Sequence, residues 1–430
     1  MAGRIKTIFK FKPFSHKQLK VLTWWNERSP VHNCNGVICD GAIRSGKTVC
    51  MSLSFAVWAM ESFNGCNFAL CGKTIGSLRR NVVGLLKNML ASRGYSVTDH
   101  RADNLLTVAR NGRENYFYLF GGKDESSQDL IQGITLAGVL LDEVALMPES
   151  FVNQAAARCS VTGSKFWFNC NPEGPSHWFK LNWIDKSDSK NMLYLHFDMD
   201  DNLSLSEEVK RRYKTQWTGV FYQRYILGLW AAAEGIIYDM FDSSRHILHS
   251  LPDMAEHGSK YISVDYGTLN PTVFLLWEKI TDGRWICTKE YYYDGRKKGR
   301  QKTDSEYADD IVSFIGDMKI RSIIVDPSAA SFIECLRRKG FNIIKAKNDV
   351  INGIRFVGGL LSRDKIAFMD CCKNTEAEFG SYIWDVRASA QGEDKPVKDH
   401  DHAMDAVRYF CYTVLNNYKV GAGKAGLYIY

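Results

Sequence analysis

Eight residues, Gly41–Thr48 (GAIRSGKT), carry the spacing G-x-x-x-x-G-K-[ST], which suits a chain of phosphates. Such a loop aims backbone N–H groups at phosphate oxygens, and the positive end of a following helix reinforces them. Gly41, Arg44, Ser45 and Gly46 line the cradle, Lys47 reaches the β- and γ-phosphates, and Thr48 holds Mg²⁺. The flanks agree: the apolar run GVICD at 36–40 leads in, and a helix is predicted from near Lys47. CGKT at 71–74 lacks the first glycine and reads as accidental. Hydrolysis needs an acid at a second strand end, and AGVLLDEVALMPES at 137–150 supplies Asp142 for the Mg²⁺ shell and Glu143 to activate water. KFWFN at 165–169 leads into Cys170-Asn171-Pro172, a turn whose Asn171 would stand near the γ-phosphate. Gln18 offers a two-sided amide that suits adenine, beside the plainer reading of an exposed polar residue.

A second set of acids lies in the other half of the chain. Asp265 ends the run YISVD, Asp326 ends SIIVD, and KDHDHAMDAVRYF at 398–410 puts His402 and Asp405 on one helical face. If the two strands are neighbours, Asp265, Asp326 and Asp405 can converge on divalent metals, with His402 as a ligand or proton shuttle. Oxygen ligands of this kind favour Mg²⁺ or Mn²⁺ over zinc. Pattern alone leaves open the plain alternative of strand-end and helix-surface acids with no shared site. Glu290 is a further acid of the region, with an exposed strand position as its equal alternative.

The elements that must position these groups are α/β in both halves. In the first, runs at 36–40, 67–71, 115–120, 137–142, 165–169 and 192–197 alternate with helical stretches, the pattern of a parallel sheet flanked by helices. A helical, aromatic-rich segment follows over 206–230, and 231–246 breaks the rhythm as a connector. The expected division is a first domain at 1–230, a linker at 231–258 and a mixed α/β domain at 259–430. In the last, strands at 261–267, TVFLLWE and WICTKEYYY precede alternating helix and strand and a closing helix around 400–417. A hydrophobic fraction of 45% with 24% charged residues is ordinary for a globular protein that needs no staples. No apolar run is long enough to span a membrane, and the basic start MAGRIKTIFKFKPF lacks a secretion signal's apolar stretch, so a cytoplasmic protein is expected. The 12 cysteines include no CxxC pair and read as reduced thiols rather than a zinc site. Net charge +7 permits a polyanionic partner without requiring one, and basic clusters such as 294–302 taken alone read more readily as solvated surface than as a DNA contact; only within a nuclease would 294–302 be the candidate for a strand-gripping hairpin.

The order GAIRSGKT, VLLDE, FNCNPEGP, GLWAAAEGIIYDMF, ISVDYG, IIVDPSAASF and DHAMDAVRY resembles the large subunit of tailed-bacteriophage terminases, most closely the PBSX-type branch. The resemblance runs over roughly residues 14–415. It implies an ASCE-type P-loop ATPase domain and an RNase H-like nuclease domain. It also implies a motor that pumps double-stranded DNA through the capsid portal, works with a small subunit, forms a ring on the portal and acts in the host cytoplasm. Carried over by position, Lys47 and Thr48 are Walker A, and Asp142 and Glu143 are the Walker B metal binder and base. Asn169 to Pro172 match the coupling motif, Gln18 the adenine contact, and Asp265, Asp326, Asp405 and His402 the nuclease residues. Many members place an arginine four residues before the P-loop lysine; here that slot is Ile43 and Arg44 follows, so Arg44 or a neighbouring subunit's arginine (Arg158 is one candidate) is left to act on the γ-phosphate. Two other readings stand beside this one. A helicase- or repair-type ATPase with a fused nuclease predicts unwinding, and a docking adaptor with a decayed ATP site predicts indifference to Lys47→Ala.

Overall fold

The computed structural model describes residues 11–250, 253, 259–267 and 270–416; the basic start at 1–10 and residues 251–252 and 254–258 of the expected linker lie outside that set. The chain forms two compact units. The first draws on the chain up to residue 214, with 222–232 and 390–393; the second on 215–221, 233–389 and the chain from 394.

In the first unit β1 (Gly36–Gly41), β2 (Asn67–Gly72), β3 (Ser96–His100), β4 (Leu105–Arg110), β5 (Arg113–Gly121), β6 (Gly138–Asp142), β7 (Lys165–Asn169) and β8 (Met192–Phe197) make one sheet, ordered β3-β4-β5-β2-β6-β7-β1-β8. The six strands read from apolar runs are all present and pair in parallel. β3 and β4 were not expected. They add an antiparallel edge to β5, and the Asn111-Gly112 turn between β4 and β5, both residues at positive φ, is the hairpin signal that marks it. β1 is buried along its whole length, as a strand covered on both faces must be. The helix Lys47–Ser62 that leaves it packs into an aromatic core in which Trp167 lies 5.0 Å from Trp24 and 4.7 Å from Trp58. Ser54, on the same helix, accepts the indole N–H of both Trp25 and Trp167. The segment expected as one helical stretch at 206–230 is two short helices, Glu207–Lys214 and Gly219–Tyr225, and residues 215–221 group with the second unit.

The second unit holds β9 (Ile247–Leu248), β10 (Tyr261–Asp265), β11 (Thr272–Lys279), β12 (Trp285–Tyr293), β13 (Ser322–Val325), β14 (Ile343–Lys345) and β15 (Ile366–Met369), ordered β14-β13-β10-β11-β12-β15-β9. β11 is antiparallel to both its neighbours, β10 and β12, while β13 pairs in parallel with β10, so the sheet is mixed.

Two segments depart from expectation. The run 294–302 is no hairpin: Asp294 accepts from the amides of Arg296 and Lys297, capping a helical turn at Gly295–Lys298 that Gly299 stops at φ 64°. Nor is 233–248 a free connector. Ile237 N donates to Tyr382 O at 2.9 Å, Phe241 stacks on Phe379 at 4.1 Å and 5°, and β9 joins the sheet beside β15. Apolar Ile237, Tyr238 and Phe241 make this a strap on the second unit.

Among the described residues no helix is long and apolar enough to cross a membrane, and all twelve cysteines are free. A fragment spanning 233–430 is expected to melt cooperatively, whereas one spanning 247–430, which lacks the strap, should melt lower by roughly 10 °C or more, as read by circular dichroism.

Candidate active sites

The phosphate loop is held from behind. Gly41 has φ 119°, and a Cβ there would stand 1.9 Å from Phe197 O, so only glycine fits. Arg44 and Gly46 are also left-handed, at φ 59° and 84°. Asn202 Nδ2 donates to Arg44 O at 2.6 Å and Gln18 Nε2 to Ser45 O at 3.4 Å. Gln18 is therefore buried against the loop rather than exposed, and its Oε1 accepts the Ser15 amide at 3.0 Å. A Cβ on residue 46 would meet Gln18 Nε2 at 2.3 Å, so Gly46 is what lets the amide approach.

Lys47 is 5% exposed, and its Nζ lies 3.0 Å from Gly41 O, 2.7 Å from Ala42 O, 3.2 Å from Ser45 Oγ and 3.2 Å from Asn171 Oδ1. Burial pulls its pKa down, since these acceptors are neutral and none replaces bulk water fully. An anion entering the loop would find an ammonium already desolvated. Beside it, Thr48 Oγ1 donates to Asp142 Oδ1 at 3.0 Å. β6 and β7 set Asp142 opposite Asn169, and the Asn169 amide donates to both Thr48 Oγ1, at 3.1 Å, and the Asp142 carboxylate. Burial, with the Glu143 charge adding to it, raises the Asp142 carboxyl to about 7. Glu143 is raised by burial too, and its backbone is left-handed at φ 59°, a strain on the order of 1 kcal/mol held by the turn after β6.

Arg44 lays its guanidinium 5.4 Å from the Tyr213 ring centre. Arg158 follows the helix Glu149–Ala157, with its Nε buried and without an acceptor. Sequence reasoning missed Asn202 and the buried Asp40, which accepts from Trp230 Nε1 at 2.7 Å and pairs with His196 Nδ1 at 2.9 Å directly before Gly41. Neither has a local spacing that announces it.

In the second unit β10 and β13 are parallel neighbours with Val264 beside Val325, so Asp265 and Asp326 leave the sheet at one edge. The helix His402–Phe410 brings His402 Nδ1 to 2.9 Å from Asp265 Oδ2. Asp405 accepts from Arg408 Nη2 at 2.8 Å, with Lys398 at 3.7 Å. Asp326 accepts from Tyr409 Oη at 2.6 Å and from Asn348 Nδ2 at 2.9 Å, and Asn348 Oδ1 in turn accepts from Arg408 at 3.2 Å. The two further acids are thus tied through Arg408 and Asn348, which the sequence did not flag.

Burial raises Asp265 to about 6 and the Asp405 charge adds to it, while the His402 bond pulls the other way. For His402, burial lowers the pKa but the bond and charge of Asp265 outweigh it, so it is raised. Burial likewise pushes Asp326 up, yet hydrogen bonds from Ser328 and Tyr409 bring it below the usual range. Among the described residues no three His, Cys, Asp or Glu side chains are already gathered as a ligand cage. The donor chemistry still fits a hard cation: the Asp405 charge adds to the cost of ionising the buried Asp265, which a divalent charge would relieve. Glu290 stands apart from this set. It accepts from the amides of Asn374 and Thr375 and caps the helix Lys373–Ser381.

A family model described as "Terminase large subunit, T4likevirus-type, N-terminal" matches residues 38–245. A crystal structure of the large terminase from a thermophilic bacteriophage is 62% identical, covering 94% of this chain and 100% of that one at a TM-score of 0.87. This chain belongs to the large terminases of tailed bacteriophages. The same thermophilic-phage terminase solved in complex with ADP is 61% identical over 94% of this chain and 100% of its own, with a TM-score of 0.84. The large terminase subunit of Escherichia phage T5 is 25% identical over 334 residues, 72% of this chain and 74% of that protein.

Protonation of Asp142 gives this terminase a testable pH dependence. The folded, metal-free protein keeps a proton up to about pH 7 that the unfolded chain releases near 3.8. Stability therefore falls as pH rises through that window and levels off above it. Asp142→Asn should remove the slope, adding on the order of 4 kcal/mol at pH 8 and little at pH 4, as measured by urea denaturation in EDTA.

Proposed function

We propose that this large terminase hydrolyses ATP in its first unit to drive double-stranded viral DNA into the procapsid, and cuts concatemeric DNA with a metal-dependent nuclease in its second. The observation that carries the motor half is the Thr48 hydroxyl bonded to the Asp142 carboxylate at 3.0 Å beside the buried Lys47. It puts the two halves of a Walker site in register. That the thermophilic-phage terminase has been solved in complex with ADP supports nucleotide binding by this chain. The nuclease half is supported by two acids on adjacent parallel strand ends and two more ligating groups on the helix beside them.

In the motor, Lys47 and the loop amides of Gly41 to Gly46 neutralise and orient the phosphates. Glu143 takes the proton of the attacking water, and Asn171, within 3.2 Å of Lys47 Nζ, is placed to register the state of the γ-phosphate. Gln18 serves the adenine side of the site while bracing the loop. Arg44, within the loop and over Tyr213, is the cis choice of arginine for the γ-phosphate, with Arg158 of a neighbouring copy as the trans choice.

In the nuclease, Asp265, Asp326, Asp405 and His402 would hold the metal. Mg²⁺ or Mn²⁺ bound there supplies water activation and stabilises the leaving oxygen. DNA contacts are to phosphate and so largely sequence-tolerant and salt-sensitive. The small subunit, the portal, a ring on that portal, the host cytoplasm and the PBSX-type branch belong to this reading through the motif order of the sequence.

Glu143→Gln is expected to lower ATP turnover by about 10²–10⁴-fold with ADP affinity kept, and Lys47→Ala to abolish both. Asp326→Ala should abolish Mn²⁺-supported plasmid cleavage and spare the ATPase. Full cleavage in EDTA would rule out the nuclease assignment. Robust strand displacement would favour a helicase over a packaging motor.

A further inference from the structure

We propose that Glu378 is a positioning residue of the nuclease site, whose carboxylate fixes the first turn of the helix carrying His402 and Asp405. The inference rests on the nuclease reading above and deepens it.

A helix leaves its first N–H groups without partners inside itself. In His402–Phe410 the residue at the cap, Asp401, makes no side-chain bond to those amides, and its carboxylate faces Lys398 at 3.2 Å instead. The missing acceptor comes from another helix. Glu378 Oε2 accepts from Ala403 N at 2.7 Å and Met404 N at 3.2 Å, while Oε1 accepts from Tyr292 Oη at 3.0 Å. A negative charge at this end also suits the helix dipole. Glu378 is 4% exposed and is satisfied by neutral donors, an expensive way to bury a carboxylate unless its geometry is used.

Its own support is rigid. Glu290 on β12 caps the start of the helix Lys373–Ser381 that bears Glu378. Phe379, the next residue, is 1% exposed beneath Phe241 of the strap, and Tyr382 O accepts Ile237 N. β12 and the strap thus hold one carboxylate, and that carboxylate holds one helical turn. His402 opens that turn and Asp405 closes it, so fraying there would reach both ligating groups first. A misplacement near 1 Å is enough to weaken a metal site.

The test uses the full chain with Mn²⁺ as probe, titrated by electron paramagnetic resonance and by plasmid cleavage. Glu378→Ala is expected to weaken Mn²⁺ binding roughly 10-fold and to raise the half-saturating Mn²⁺ for cleavage in parallel. Cleavage at saturating Mn²⁺ should stay within about threefold, and ATP hydrolysis should be unchanged. Glu378→Gln keeps an oxygen for the two amides and is expected to restore binding to within about threefold. If Glu378→Ala does not fold, Glu378→Asp replaces it, since the shortened acid retracts from the amides and should weaken Mn²⁺ while Glu378→Gln does not. Wild-type Mn²⁺ affinity in the Ala or Asp variant, or equal losses in those and the Gln variant, would overturn the positioning role alone. A wild type that neither binds Mn²⁺ nor cuts with it would overturn the nuclease reading itself.

Discussion

A lysine ammonium is costly to take out of water, and Lys47 is held 5% exposed among carbonyl, hydroxyl and amide oxygens, with no carboxylate at bonding distance among the described residues. The rest of the first unit can be read as what makes that placement stable. β1, between β7 and the edge strand β8, delivers the loop, three left-handed residues turn it, and Asn202 and Gln18 grip its carbonyls from outside. The helix that starts at Lys47 is anchored by its own Phe55 and Trp58, which pack on Trp167 of β7 at 5.2 and 4.7 Å. Preorganisation of this kind leaves little reorganisation for the moment a polyphosphate arrives.

The second unit shows the opposite sign of the same physics. Carboxylates are gathered at one sheet edge and each is answered by a protein donor: Asp265 by His402, Asp405 by Arg408, Asp326 by Tyr409 and Asn348. These partners keep the acids apart and oriented while the charge is uncompensated. Were a cation to bind there, some of these bonds would have to loosen while the helix kept its place.

How much of this was legible in sequence depended on whether the signal was local. The loop, Asp142-Glu143 and the six apolar strands are contiguous patterns, and each element lies where its pattern put it. Asp265 and Asp326 were legible as strand ends, and the parallel pairing of β10 with β13 makes them neighbours. Groups that act across the fold left no trace. Arg408, Tyr409 and Asn202 carry no local spacing that marks them, and Glu290, legible only as a further acid or an exposed strand residue, is a cap. Gln18 had a motif to suggest it but not its burial. The connector expected at 231–246, which groups with the second unit from residue 233, and the run 294–302 differ from expectation for another reason. Broken periodicity and a charge run look alike whether the chain is free or pinned by a few aromatic and capping contacts.

Trp230 carries one last implication. Its indole N–H is bonded to the buried carboxylate of Asp40, the residue immediately before the phosphate loop. Indole emission shifts with the field around the ring, so a loop that moves when it fills also changes the light this side chain returns. Any such change would be read against the light of the ten other tryptophans.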